Sequence, residues 1–139
     1  MPNALARKGV IIALKQFADD INNTGKINIS VTSAGNELNV VKENEIHIYR
    51  IIQEAINNTL KHAKAERMVI DFKDTPDEIH FTIDDNGVGY NYDSHRKNSL
   101  GLGLKNIISR VEMLNGEIFI DTAVGKGTHY SIIIPNAQN

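Results

Sequence analysis

The chain has 139 residues, 41% hydrophobic and 23% charged, with no cysteine, and its 15 Lys and Arg against 17 Asp and Glu leave a formal charge of −2. A chain of this size buries roughly 68–70% of its unfolded surface, enough for one core, and the missing thiols exclude disulfide frameworks and thiolate metal sites. Balanced charge excludes a nonspecific nucleic-acid binder, and no apolar run approaches the ~20 residues that cross a bilayer, so a soluble domain is expected.

Leu5, Val10, Ile11, Leu14, Phe17, Ala18 and Ile21 recur at three- and four-residue steps, which predicts an amphipathic helix closed by Asn22-Asn23-Thr24-Gly25. Ile27, Ile29 and Val31 alternate as in a half-buried strand, and the same pattern predicts a return strand from Leu38 to Val41 after Ala34-Gly35-Asn36. A second helix is expected from about Asn44 to Ala65. Two alternating segments follow, Met68/Ile70/Phe72 and Ile79/Phe81/Ile83, joined by the hairpin connection Asp74-Thr75-Pro76-Asp77. The polar, aperiodic stretch Tyr90 to Ser99 reads as a mobile loop. Leu104, Ile107, Ile108, Val111 and Leu114 form a third helical stripe ended by Asn115-Gly116, and Ile118/Ile120 and Tyr130/Ile132/Ile134 form two closing strands around Gly125-Lys126-Gly127. Helices and strand pairs in this order predict an α+β fold, one helical layer on one mixed sheet.

Four clusters carry chemistry. At 100° per residue, Ile48, Ile52, Ala55, Ile56, Thr59, Leu60 and Ala63 share one face of the second helix, and Glu54, Asn58 and Lys61 line the other within roughly 40°. That row is either a solvated face or a set aimed at a ligand. A mid-helix Asn lowers helix propensity, and its amide oxygen is a hard ligand of the kind Mg²⁺ accepts beside phosphates and water, with Lys61 and His62 positioned for the same phosphates. Asp85 ends a strand ahead of Asn86-Gly87-Val88-Gly89. A carboxylate there can accept from an exocyclic amine such as adenine N6 and oppose the acceptor oxygen of guanine, but Asp-Asn-Gly is equally a common turn.

Gly101-Leu102-Gly103-Leu104 stands just before the third helix, where free backbone N–H groups and the helix dipole favour phosphate. Neither a Rossmann fingerprint nor a P-loop fits it, because Asn106 stands where the third Rossmann glycine belongs and no Gly-x4-Gly-Lys-Ser/Thr occurs. Gly125-Lys126-Gly127-Thr128 is either a hairpin turn or a phosphate contact.

Taken together, Glu54 to His62, Asp85 to Gly89, Gly101 to Leu104 and Gly125 to Thr128 resemble the asparagine box, the two glycine boxes and the following Gly-Thr box of the GHKL ATPase superfamily. The Lys61-His62-Ala63 ending and the run Gly101 to Ile107 look like the catalytic, ATP-binding domain of two-component sensor histidine kinases. The likeness covers about residues 27–135. Residues 1–25 resemble the end of a dimerisation region, which leaves 26–139 as the ATP-binding catalytic domain.

The resemblance implies a Bergerat fold, a two-layer sandwich whose mixed sheet is covered on one face by about three helices, binding ATP and Mg²⁺ under a lid at Tyr90 to Ser99. It implies Asn58 as the Mg²⁺ ligand, Lys61 and His62 near phosphates, and Asp85 on adenine N6. Gly87 and Gly89 would shape the base pocket. Gly101 and Gly103 would hinge the lid and offer backbone to phosphates, Leu104 would join them in the nucleotide site, Thr128 would lie near Asp85 and support the adenine site, and Glu54 would stand at the general-base position.

In such kinases the phosphoacceptor His precedes an acidic residue, whereas the five here precede Ile48, Ala63, Phe81, Arg96 and Tyr130. The acceptor is therefore expected on a separate His-bearing dimerisation domain, with a response regulator downstream and a cytoplasmic location, the parent kinase being membrane-associated. The alternative is an ATP-binding regulatory module or an anti-sigma-factor-type serine kinase, which shares the boxes.

Overall fold

The computed structural model describes residues 5, 8–35, 37–38, 40–89 and 99–136, apart from the side chains of 62, 63 and 99–102. In chain order the elements are α1 (Val10–Asn22), β1 (Asn28–Thr32), α2 (Lys42–Asn58) continued by a π-helical turn (Thr59–Ala63), β2 (Arg67–Asp74), β3 (Glu78–Asp85), α3 (Ser99–Met113), β4 (Glu117–Thr122) and β5 (Thr128–Pro135).

The strands form one sheet in the order β1-β2-β3-β5-β4, with β1 parallel to β2 and every other pair antiparallel. Period-2 patterning decides its faces. Met68, Ile70, Phe72, Ile79, Phe81, Ile83, Tyr130, Ile132 and Ile134 are all buried, and the residues between them point to the open face. The helices complete the core with Val10, Ile11 and Leu14 from α1, Ile48, Ile52 and Ile56 from α2, and Leu104, Ile107 and Val111 from α3. This is the expected two-layer α+β architecture. Among the described residues no helix is long and apolar enough to cross a membrane.

Helix α1 is fastened at both ends. Its N-cap, Gly9 at φ 92, has no side chain to offer, and the Val10 N–H instead donates to Glu45 Oε1 of α2 at 3.0 Å. At the far end the Asn22 amide donates to the Ile29 carbonyl at 2.8 Å and accepts from the Ile29 N–H at 2.6 Å, pairing with β1 as a strand would. Glu43 and Glu45 in the first turn of α2 favour its dipole. Helix α3 stops at Asn115, in the left-handed region at φ 59, with the Gly116 N–H returned to the Val111 carbonyl at 2.9 Å.

Several sequence expectations change. Leu38 and Val40 belong to no strand; β1 takes its partner, β2, from beyond α2, and the two hydrophobics pack on the core from an irregular segment. The second helix is α-helical only to Asn58, passes through the π turn, and ends on Lys64 at φ 51. The wider π turn breaks the 100° spacing, and Leu60, placed inward by that spacing, is 42% exposed. Gly101 and Gly103 lie inside α3, where the sequence reading set them before it. Of the expected loop, residues 90–98 lie outside the described residues, and Ser99 begins α3.

Candidate nucleotide site

Asp85 is the last residue of β3, paired with Thr128 of β5 and Met68 of β2. Its Oδ1 accepts the Gly87 N–H at 2.8 Å and its Oδ2 accepts the Thr59 hydroxyl at 3.2 Å; the Thr128 backbone N–H donates as well. Burial pushes the Asp85 carboxyl above the usual carboxylate range and nearby Asp84 adds to the rise, while the Gly87, Thr59 and Thr128 hydrogen bonds oppose it. A carboxylate offers about four acceptor positions, and the donors of Gly87, Thr59 and Thr128 leave room for one more. The turn reading and the ligand reading of Asp-Asn-Gly are thus compatible: one oxygen closes the turn, and the carboxylate keeps acceptor capacity.

The walls around it interlock. Gly89, at φ 64, lies so close to the β4–β5 turn that an added Cβ would stand 2.1 Å from the Ala123 carbonyl oxygen. Gly127, at φ 74, is pressed equally hard against β3, its Cβ position falling 2.3 Å from the Asp85 carbonyl oxygen. The Gly125 N–H donates to the Val88 carbonyl at 2.5 Å, and the Thr122 hydroxyl meets the Gly127 carbonyl and the Thr128 hydroxyl, each at 3.0 Å. Asn86 Oδ1 accepts the backbone N–H groups of Glu66 and Arg67, both at 2.9 Å, tying the loop to the start of β2. The third glycine cluster is therefore the hairpin turn that braces the loop after Asp85.

Helices α2 and α3 form the other side. Asn58 ends α2, and the next residue, Thr59, reaches Asp85, so the two principal groups belong to one locality. Asn58 Nδ2 is buried without a hydrogen-bond partner among the described residues. A buried N–H donor left without an acceptor is costly, and a phosphate oxygen or a water would complete it, while the Oδ1 of the same amide is a hard ligand of the kind a hydrated Mg²⁺ accepts. Gly103 backs directly on this amide: a Cβ there would lie 2.5 Å from Oδ1, 2.7 Å from Nδ2 and 2.9 Å from Cγ of Asn58. That contact explains a glycine inside a helix.

One turn along, the Asn106 amide donates to Glu54 Oε1 at 3.2 Å. Lys61 is exposed on the π turn, which also carries His62, whose side chain lies outside the described residues. Gly101 falls in the first turn of α3, where backbone N–H groups have no helical partner. Leu104 is 2% exposed, its side chain committed to the core.

Sequence reasoning missed Thr59, Asn86, Asn106 and Thr122. Thr59 was grouped with the apolar face, where it is indeed buried at 4% exposure; the one available signal was a hydroxyl among aliphatics directly beside Asn58.

Residues 43–138 match the family described as histidine kinase-, DNA gyrase B-, and HSP90-like ATPase. The signal transduction histidine-protein kinase/phosphatase DegS of Bacillus subtilis (strain 168) is 29% identical over 138 residues, covering 96% of this chain and 36% of DegS. DegS of Brevibacillus brevis is 32% identical over 133 residues, covering 95% and 34%. The sensor histidine kinase ComP of Bacillus subtilis (strain 168) is 28% identical over 126 residues, covering 91% and 16%. The chain thus spans about a third or less of these relatives' lengths.

Among solved structures, the Acinetobacter baumannii histidine kinase AdeS superposes with a TM-score of 0.73 at 17% identity, covering 94% of this chain and 65% of that one. The histidine kinase domain of the Erythrobacter litoralis EL346 blue-light activated histidine kinase gives 0.68 at 22%, covering 92% and 60%. Both share the fold. With the family match spanning more than half its length, the chain belongs to the histidine kinase-, DNA gyrase B- and HSP90-like ATPase family, as an ATPase domain homologous to those of sensor histidine kinases.

Proposed function

We propose that this domain binds ATP with Mg²⁺ and donates the γ-phosphoryl group to a histidine on a separate dimerisation domain of its parent kinase, from which a response regulator is served. The observation that carries this reading is the half-buried Asp85 carboxylate, oriented by Thr59, Gly87 and Thr128 and left with acceptor capacity, with the unpartnered Nδ2 of Asn58 on the residue next to Thr59. Asp85 would take the remaining hydrogen bond from adenine N6, with Gly87 and Gly89 shaping the base pocket and Thr128 holding the carboxylate. Asn58 would hold the metal. Bound Mg²⁺ supplies charge neutralisation on the phosphates.

Lys61 and His62 would approach the same phosphates, as would the first-turn backbone of α3 at Gly101, while Gly103 leaves Asn58 its room and Leu104 anchors α3 on the core. Glu54 would hold the proton on one nitrogen of the acceptor imidazole. The other nitrogen bonds to phosphorus as the bond to the ADP oxygen breaks with its electron pair. Catalysis is then chiefly positioning and electrostatics. The chain ahead of about residue 25 would come from the dimerisation region. We place the domain in the cytoplasm, with the parent kinase at the membrane.

The test is nucleotide binding with Mg²⁺ titrated in, comparing ATP with GTP for wild type, Asp85→Asn and Asn58→Ala. ATP preference is expected, with Asp85→Asn weakening ATP most and Asn58→Ala removing the metal dependence while base preference persists. Equal affinity of the wild type for both nucleotides overturns the assignment. Incubating labelled ATP with a His-bearing dimerisation domain should then give an acid-labile label on that domain.

A further inference from the structure

Helices α2 and α3 meet in an ordered ladder. Gly103 touches Asn58, Asn106 Nδ2 donates to Glu54 Oε1 at 3.2 Å, and Arg110 approaches His47 Nδ1 at 3.5 Å, so ascending positions on α3 meet descending positions on α2. The first two rungs fall on residues already assigned to the phosphoryl-transfer site. Asn106 is exposed in mid-helix, where Asn is a poor choice by propensity, and its amide contact to Glu54 supplies a reason for it.

We propose that Asn106 is a positioning residue for phosphoryl transfer: it holds Glu54 by Oε1, leaving Oε2 to face the proton of the acceptor imidazole. The proposal rests on the reading of Glu54 as the carboxylate that meets the acceptor. A Glu side chain has three rotatable bonds ahead of its carboxylate, and fixing one oxygen restricts the orientations the other can take. Because Gly103 and Asn106 lie three residues apart on one helix, the metal-binding amide and the proton-holding carboxylate share a single mount.

The experiment uses the kinase that carries this domain together with its His-bearing dimerisation segment. Single-turnover phosphohistidine formation from labelled ATP is measured for wild type, Asn106→Ala, Asn106→Asp, Asn106→Gln and Glu54→Gln, alongside ATP affinity and thermal unfolding. Asn106→Ala is expected to slow transfer about tenfold at saturating ATP, a fraction of the 10²–10⁴ that a general base contributes. ATP affinity should stay within twofold.

Asn106→Asp, which sets like charge against Glu54, should slow transfer further, and Asn106→Gln, which keeps an amide donor, should recover most of the rate. A rate loss that Asn106→Gln does not recover, or one that tracks weaker ATP binding or a lower Tm, overturns the proposal. Full transfer by Glu54→Gln with normal ATP binding removes the reading of Glu54 and this inference with it. Loss of transfer in Glu54→Gln with wild-type behaviour in every Asn106 variant removes the inference alone.

Discussion

Replacing Gly103 by Ala sets two effects of known sign against each other. Inside a regular helix the change is favourable by about 0.8–1.0 kcal/mol, because Ala loses less conformational entropy than Gly. At this position, however, the new methyl would stand 2.5 Å from Asn58 Oδ1 and 2.9 Å from Asn58 Cγ. Turning the amide about its last bond leaves Cγ where it is, so the whole side chain must change χ1, within a helix that excludes one of its rotamers. Overpacking of this kind costs about 1–3 kcal/mol, so the net effect on the wild-type background is a loss of up to about 2 kcal/mol.

On an Asn58→Ala background the obstruction is gone, and the same substitution should stabilise by up to about 1 kcal/mol. The assay is urea denaturation of the four proteins of this double-mutant cycle without nucleotide, so the result is independent of any ligand reading. A coupling of about 1–3 kcal/mol with a change of sign between backgrounds is expected. Additive effects, with Gly103→Ala equally harmful in both, would refute the direct contact as the reason for glycine at 103.

Asp85→Asn should weaken ATP binding by about tenfold or more, the worth of a hydrogen bond to a charged group, while sparing the fold at neutral pH. The folded-state pKa of Asp85 is raised, so between the ordinary carboxylate range and that raised value the folded chain holds more protons than the unfolded one, and stability falls as pH rises. Thermal unfolding across acid to neutral pH should show that slope shrink in the Asn variant; an unchanged or steeper slope contradicts the burial argument. ATP affinity of the wild type should fall as pH drops through the same window, because the protonated carboxyl is a poorer acceptor, and isothermal titration at several pH values reads it directly. Asn22→Ala removes both hydrogen bonds to Ile29 and should cost about 1–3 kcal/mol by chemical denaturation, with a loss below 0.5 kcal/mol counting against the clamp.

Sequence patterning located β2, β3 and β5 because each is a strand buried on one side, so the period-2 signal is undiluted. It failed at Leu38 to Val41, where alternation over four residues is too short to tell a strand from an irregular segment whose Leu38 and Val40 also pack on the core. The apolar stripe beginning at Leu104 set Gly101 and Gly103 ahead of α3, yet a contact with a residue 45 positions away in the chain settles the matter at Gly103. The π turn has no compositional signature, which is why Leu60 was assigned to the wrong side.

Within the site, the acid and glycine positions were legible as a set because their chemistry is unusual in combination. Thr59, Asn86, Asn106 and Thr122 were not, since an ordinary Thr or Asn gains its meaning only from the remote atom it touches: the Asp85 carboxylate, the N–H groups of Glu66 and Arg67, the Glu54 carboxylate and the Gly127 carbonyl.

Helix α1 bears on mechanics. A rod held at one end by Glu45 and at the other by Asn22 has no free pivot against the body it lies on, so α1 is bolted to α2 and β1 as one rigid piece. Its Glu45 bolt lies on the same helix that carries Glu54 and Asn58.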